Sequence, residues 1–206
     1  MNPEPAKTVI SSRNVRIFVE VALQEVGEQS LRGILEKVNL STSVLEEDSL
    51  NRLDGVQAAG LYASLQKALR LSYGRGARGI LLRIGQSMWD KMAARANFRE
   101  KADLEIARRL PVPARRRRVL DLVAGRLREG GGAASVHTLD LDLLLVDHSS
   151  AATVNQSSPE PICFVTLGLI QGAFHWATKQ EADIEEIACK AAGAPDCEFK
   201  VKLGGK

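Results

Sequence analysis

Glu186-Ile187-Ala188-Cys189-Lys190-Ala191-Ala192-Gly193-Ala194-Pro195-Asp196-Cys197-Glu198-Phe199-Lys200-Val201 is the stretch on which the reading of this chain turns. Ala192 to Asp196 is rich in turn formers, so the backbone should fold back there and bring Cys189 close to Cys197. After the turn, Cys197, Phe199, Val201 and Leu203 alternate with Glu198, Lys200 and Lys202, the period of a strand with one buried and one wet face. Cys197 therefore points inward. Glu186 and Cys189 are three residues apart and would face opposite ways on a regular strand, so both can serve one site only if the strand bends or bulges near Ile187.

The chain has 3 cysteines, and the third, Cys163, comes from elsewhere in the fold. Three thiols and a carboxylate are donors that can close a tetrahedral zinc site. Cys189 and Cys197 could also form a disulfide, or all three could be small core residues. An odd count and the absence of a secretory leader argue against a disulfide framework without deciding the matter. The opening Met1-Asn2-Pro3-Glu4-Pro5 is neither a signal nor a transit peptide, so a cytoplasmic protein is expected.

Outward from the hairpin, the 206 residues, 45% hydrophobic, suit one core and one domain. We read residues 1–12 as a flexible N-terminus and 13–203 as the domain. No apolar run is long enough to span a membrane. A net charge of +3 does not by itself imply nucleic acid. Helical spacing runs from Val15 to Val26, breaks at Gly27 and resumes from Leu31 to Val38, before a polar loop through Ser41 to Asp48. Ala58 to Leu69 and Ile80 to Met92 form further helices separated by Gly74-Arg75-Gly76, and a basic helix begins near Ala114. Leu139, Leu141, Leu143 and Leu145 then alternate as in a strand, with a second extended segment expected at Ala151 to Gln156. Phe164 to Thr178 returns to helix. Helices first and strands later give an α+β class: a helical N-terminal layer packed on an antiparallel sheet.

Other features carry less. Arg115-Arg116-Arg117-Arg118 spreads around a helix and reads as a solvated or dimer-bridging face rather than a polyanion site. Gly74-Arg75-Gly76-Ala77-Arg78-Gly79 follows a helix and lacks a Lys-Ser/Thr ending, so it is no phosphate loop. His137, His148 and His175 have no nucleophile at short range, and no haem-ligand motif surrounds His137 or His175. Gly168 and Gly172 are spaced for close helix packing.

The run Gly168-Leu169-Ile170-Gln171-Gly172, with Glu186-x2-Cys189-x3-Gly193-x3-Cys197-x-Phe199, resembles the C-terminal signature of the 4-vinyl reductase domain family, over residues 163–201. That family includes sensory domains of aromatic-responsive bacterial activators. The resemblance implies a structural Zn²⁺ held by Cys163, Glu186, Cys189 and Cys197, and a homodimer. It also implies a fold like that of nitric-oxide sensor domains and Golgi trafficking subunits. A pocket for a small apolar ligand would lie between helices and sheet, lined by Tyr62, Leu65, Tyr73, Ile84, Met88, Trp89, Phe164, Leu167, Ile170 and Phe174. The histidine–tryptophan pair that fixes a phenol hydroxyl in those relatives has no match here. An aromatic content of 4% suggests a hydrocarbon, lipid or tetrapyrrole edge instead. No ATPase or DNA-binding module follows the last strand, so the expectation is a stand-alone sensor or carrier. The alternatives are a 4-vinyl reductase, or an accessory protein acting on a chlorophyll precursor, and a purely structural interaction module. Direct reduction lacks a visible nicotinamide or flavin motif, so an enzyme is the weaker reading.

Overall fold

The computed structural model describes residues 8–203. The leader reading at Met1 to Pro5 lies outside the described residues. Of the segment 1–12, the described part is anchored: Ile10 N donates to Gly55 O (3.1 Å), and Ser11 caps the first helix by accepting from Asn14 N.

Helices α1 (Ser12–Val26) and α2 (Glu28–Lys37) are separated at Gly27, whose φ of 82° lies in the left-handed region that a side chain would resist. The segment read as a polar loop instead holds a 3₁₀ turn, Thr42–Leu45, and a short helix α3 (Glu47–Asn51). Its turn is nucleated by Ser41, which caps Ser43 N. Helix α4 (Gly55–Tyr73) opens on a capping box between Asp54 and Gln57. It is followed by α5 (Ala77–Ala94), α6 (Phe98–Arg109) and α7 (Val112–Arg128). Helix α7 starts two residues before Ala114 because Pro113 is tolerated in a first turn.

The alternating leucines are not one strand. They divide into β1 (Ala134–Leu139) and β2 (Asp142–Asp147), paired antiparallel across a tight turn. Asp140 makes the turn at φ 50°, a conformation that Asp adopts more readily than most residues. The extended segment expected at Ala151 to Gln156 is also corrected. It is a 3₁₀ turn (Ala151–Thr153) with Asn155 at positive φ, because Thr153 Oγ1 bonds back to Ser150 O (2.8 Å). Helix α8 (Phe164–Thr178), β3 (Asp183–Ala188) and β4 (Cys197–Lys202) complete the chain. The four strands form an antiparallel sheet in the order β1-β2-β4-β3. Helix α7 packs over β1 and β2, and α8 over β3. The α+β class is as read from the sequence.

Helix α8 is also pressed against α5. A Cβ placed on Gly168 would lie 2.1 Å from Leu82 O, and one on Gly85 would lie 2.1 Å from Val165 O. Gly172 is similarly tight, 2.9 Å from Gln86 Cα. The arginine run is not a free solvated face. Its side chains leave α7 in different directions and tie it to its neighbours. Arg115 reaches Leu110 O and Ala177 O, Arg117 reaches Val136 O, and Arg118 reaches Asp103.

Gly168→Ala is expected to lose about 1–3 kcal/mol through overpacking. Gly125→Ala, in α7 with no atom within 4 Å of the added methyl, should gain about 1 kcal/mol from helix propensity. Thermal melts of the two variants should shift in opposite directions, and equal shifts would contradict the packing described.

Candidate metal centre

Cys163 sits immediately before α8, buried, with its backbone N–H donating to Glu186 Oε2 at 2.9 Å. Its Sγ lies 3.9 Å from Cys189 Sγ and 3.6 Å from Cys197 Sγ. The potential ligand atoms of Cys163, Glu186, Cys189 and Cys197 all lie within 4.8 Å of one another, and all four residues are buried. A disulfide needs about 2.05 Å between sulfurs, so these thiols are free. Tetrahedral bonds of about 2.3 Å from zinc to sulfur give edges of about 3.8 Å, the scale of the separations seen.

The local folding shows why the residues meet. Glu186 pairs with Phe199, whereas Ala188 pairs with Glu198, so the β3–β4 register slips around Ile187. Ile187 is exposed, Glu186 is buried and Cys189 is turned inward. This is the irregularity that the spacing required. Beyond it, Gly193 at φ 92° closes the turn, and Ala194 N returns to Cys189 O (3.1 Å). Lys190 N donates to Cys197 Sγ (3.3 Å), and Ser150 Oγ lies 3.5 Å from Cys163 Sγ.

Without a cation the four groups cannot all be ionised. Thiol hydrogen bonds from Cys163 and Cys197 hold Cys189 well below the ordinary thiol range. The contact with Cys189, followed by that with Cys197 and by burial, raises Cys163 well above it. At Cys197 the bond to Cys163 lowers the value, but the Cys189 contact and burial outweigh it, so the net direction is up. Burial pushes Glu186 up to about 8. Its Oε1 is buried with no hydrogen-bond partner, an orphaned acceptor at the centre of the cluster.

The residues expected to line a ligand pocket are brought together less fully. Tyr62, Leu65, Ile84, Met88, Trp89, Leu167, Ile170 and Phe174 are buried in the core, while Tyr73 and Phe164 are half-buried. Phe164 and Leu167 border an open groove of about 440 Å³ beside β3, with Arg78, Pro161, Ile184 and Glu186. Trp89 borders a second groove, of about 280 Å³, between α6 and α7.

The reading that no histidine has a nucleophile at short range is corrected. Ser135 Oγ lies 3.0 Å from His148 Nε2 and 2.8 Å from His137 Nε2, and His148 Nδ1 is 3.1 Å from Asp196. The strand pairing creates this proximity, which sequence separation conceals. The serine is held between two imidazoles toward the wet face of the sheet, and the chain of bonds fastens the Cys189–Cys197 turn to β1 and the end of β2. Sequence reading also missed Asp147 and Ser150, whose signal is the polar run Asp147-His148-Ser149-Ser150 directly after an apolar strand.

Comparison with known proteins agrees with this geometry. Residues 146–203 match the 4-vinyl reductase domain. Over this stretch the chain belongs to the 4-vinyl reductase domain family. An uncharacterized protein of Methanocaldococcus jannaschii is 43% identical over 47 residues, covering 23% of this chain and 26% of that protein. The match thus spans about a quarter of that relative's length. This member of the family also resembles three solved structures. One is the phenol-responsive sensory domain of the transcription activator PoxR with phenol, at 17% identity over 69% of this chain and 72% of that one, TM-score 0.51. Another is an H-NOX protein of Shewanella oneidensis in the Fe(II)NO state, at 15% identity over 95% and 100%, TM-score 0.57. The third is a trafficking protein particle complex subunit 3 from Naegleria fowleri covalently bound to palmitic acid, at 19% identity over 71% and 93%, TM-score 0.54. At these identities the likeness is one of fold. His137 and His175 are both exposed in this chain, unlike a haem ligand buried in a pocket.

Burial pushes the Asp147 carboxyl up to about 6, against the opposing pull of Ser149 N, Ser150, Lys190 and His148. Its folded value lies above the unfolded one. The associated stability is therefore full below about pH 4 and is lost as pH rises through about 6. Asp147→Asn retains an oxygen to accept from Ser149 N, and should raise stability near pH 8 by up to roughly 3 kcal/mol with little effect near pH 4. Melting curves at the two pH values test this, and an equal shift at both would contradict it.

Proposed function

We propose that this chain is a binding domain of the 4-vinyl reductase type for a small apolar ligand, with its C-terminal hairpin clamped to the start of α8 by a structural Zn²⁺ ion. The observation that carries the metal assignment is the buried cluster of three thiols and one carboxylate, with an unpartnered carboxylate oxygen facing no other donor. Soft thiolate donors favour zinc over magnesium or calcium. Four protein ligands close the coordination sphere, which suits a structural ion and leaves no open position for catalysis. Bound there, the ion supplies cross-linking between Cys163 and the hairpin. The Cys163 N–H positions Glu186, and the Lys190 N–H supports Cys197.

The ligand-binding reading draws on the fold. PoxR is described with phenol in its sensory domain, and the trafficking subunit with covalently bound palmitic acid. In this chain the α5–α8 backbone contact fills one part of the interior. The groove bordered by Phe164 and Leu167 is where two of the expected lining residues meet open space, beside the metal ligand Glu186. We assign the apolar ligand to that groove. Among the described residues, no helix is long and apolar enough to cross a membrane.

Elemental analysis should return close to one zinc per chain. Cys197→Ser should lose the metal and lower the melting temperature by on the order of 10 °C. Because Cys163, Cys197 and Glu186 hold protons near pH 7 in the metal-free cluster and Cys189 does not, zinc uptake should release about three protons. Calorimetry in buffers of different ionisation enthalpy measures that number. Native mass spectrometry of freshly purified protein should show an apolar adduct that Phe164→Asp removes. Melting unchanged by a strong chelator would reject the zinc clamp, and an adduct that survives Phe164→Asp would reject the groove.

A further inference from the structure

Three thiolates and one carboxylate around a divalent ion leave a net charge of −2 in a buried site. Burying such an excess is costly unless a cation lies nearby. Two neighbouring groups are already engaged. The Lys190 backbone N–H serves Cys197, while its ammonium is turned to His148 O at 3.0 Å.

Helix α4 supplies the missing charge. Tyr62, Gln66 and Arg70 recur every four residues on its sequence, Tyr62 and Gln66 are buried, and Arg70 is half-buried. The helix packs on the 3₁₀ turn Ala151–Thr153, and Ser150, which precedes that turn, touches Cys163. Arg70 Nη2 is anchored on Gln156 Oε1 at 3.0 Å, and Gln156 is itself held by Val154 O at 3.2 Å. Arg70 Nη1 is buried without a hydrogen-bond partner. A guanidinium drawn out of water, fixed at one nitrogen and unpaired at another, needs an anion within reach.

We propose that Arg70 is the outer-sphere counter-charge of the cluster formed by Cys163, Glu186, Cys189 and Cys197, a positioning residue that favours the fully ionised donor set. Burial lowers the Arg70 pKa, and the charges of Cys163 and Cys189 oppose that fall, so their field reaches the guanidinium. This inference rests on the zinc reading above. It adds that metal affinity is set partly from the helical layer, by a residue outside the family match at 146–203.

The test compares Arg70→Gln, Arg70→Lys and Gln156→Leu with the unaltered protein, using zinc competition against a chromophoric chelator. Arg70→Gln should weaken zinc binding about 10- to 100-fold, the usual effect of removing an outer-shell partner. Arg70→Lys should recover most of that loss. Gln156→Leu, which frees the guanidinium without deleting it, should weaken binding to an intermediate extent. In the Co²⁺-loaded proteins, the thiolate-to-metal charge-transfer band of Arg70→Gln should move to lower energy, because sulfur without a nearby cation gives up electrons more readily. A general loss of packing would not produce that shift. Unaltered zinc affinity and an unmoved band in Arg70→Gln would overturn the role of Arg70 alone. Should Arg70→Gln fail to fold, Gln156→Leu and Arg70→Lys decide: both binding zinc as the unaltered protein does, with unmoved bands, would overturn it equally. Failure of the unaltered protein to bind zinc would instead overturn the metal reading, and this inference with it.

Discussion

The convergence of Cys163, Glu186, Cys189 and Cys197 at the start of α8 is the constraint to which the rest of the C-terminal half conforms. It joins a helix, a bulged strand, a tight turn and a returning strand at one buried point. In the absence of a cation, Cys189 alone of the three thiols is pulled down while the other two are pushed up. The folded chain thus places four donors together at an electrostatic cost that a divalent ion would reverse. Sheet register, the positive φ of Gly193 and the backbone N–H groups of Cys163 and Lys190 all serve that juxtaposition.

Helix α8 transmits this arrangement to the helical layer. Gly85, Gly168 and Gly172 let α5 and α8 approach until side-chain carbon has no room between them. Residues that in a looser fold could surround a guest molecule are here packed against one another. Open space next to the helix is displaced toward β3, where Phe164 and Leu167 meet Glu186. On the reading proposed here, binding and metal clamping share a wall.

Much of this was legible in the sequence because it depends on residue chemistry at fixed spacing. Cys-x7-Cys around a turn predicts a hairpin, and the three-residue step from Glu186 to Cys189 demands a bulge, which lies at Ile187. Gly168 and Gly172 announce a close helix contact. What remained illegible depends on tertiary partners. The leucines from 139 to 145 keep their alternation across a turn, so pattern alone hides the hairpin at Asp140. The arginines of α7 look solvated until β1, α6 and the end of α8 supply acceptors. Ser135 and His148 are 13 residues apart and meet because β1 and β2 pair, while Arg70 gains meaning from a loop 86 residues later.

The slip in register at Ile187 has an effect beyond aiming two ligands. Strand β3 lies at the border of the sheet, where a straight run of free N–H and C=O groups would invite pairing with another molecule. The extra residue kinks that border, and Asp183 and Glu185 set charges along it. The same deformation that gathers the donors therefore guards the molecule against cross-β self-association, even though it leaves an isoleucine facing water.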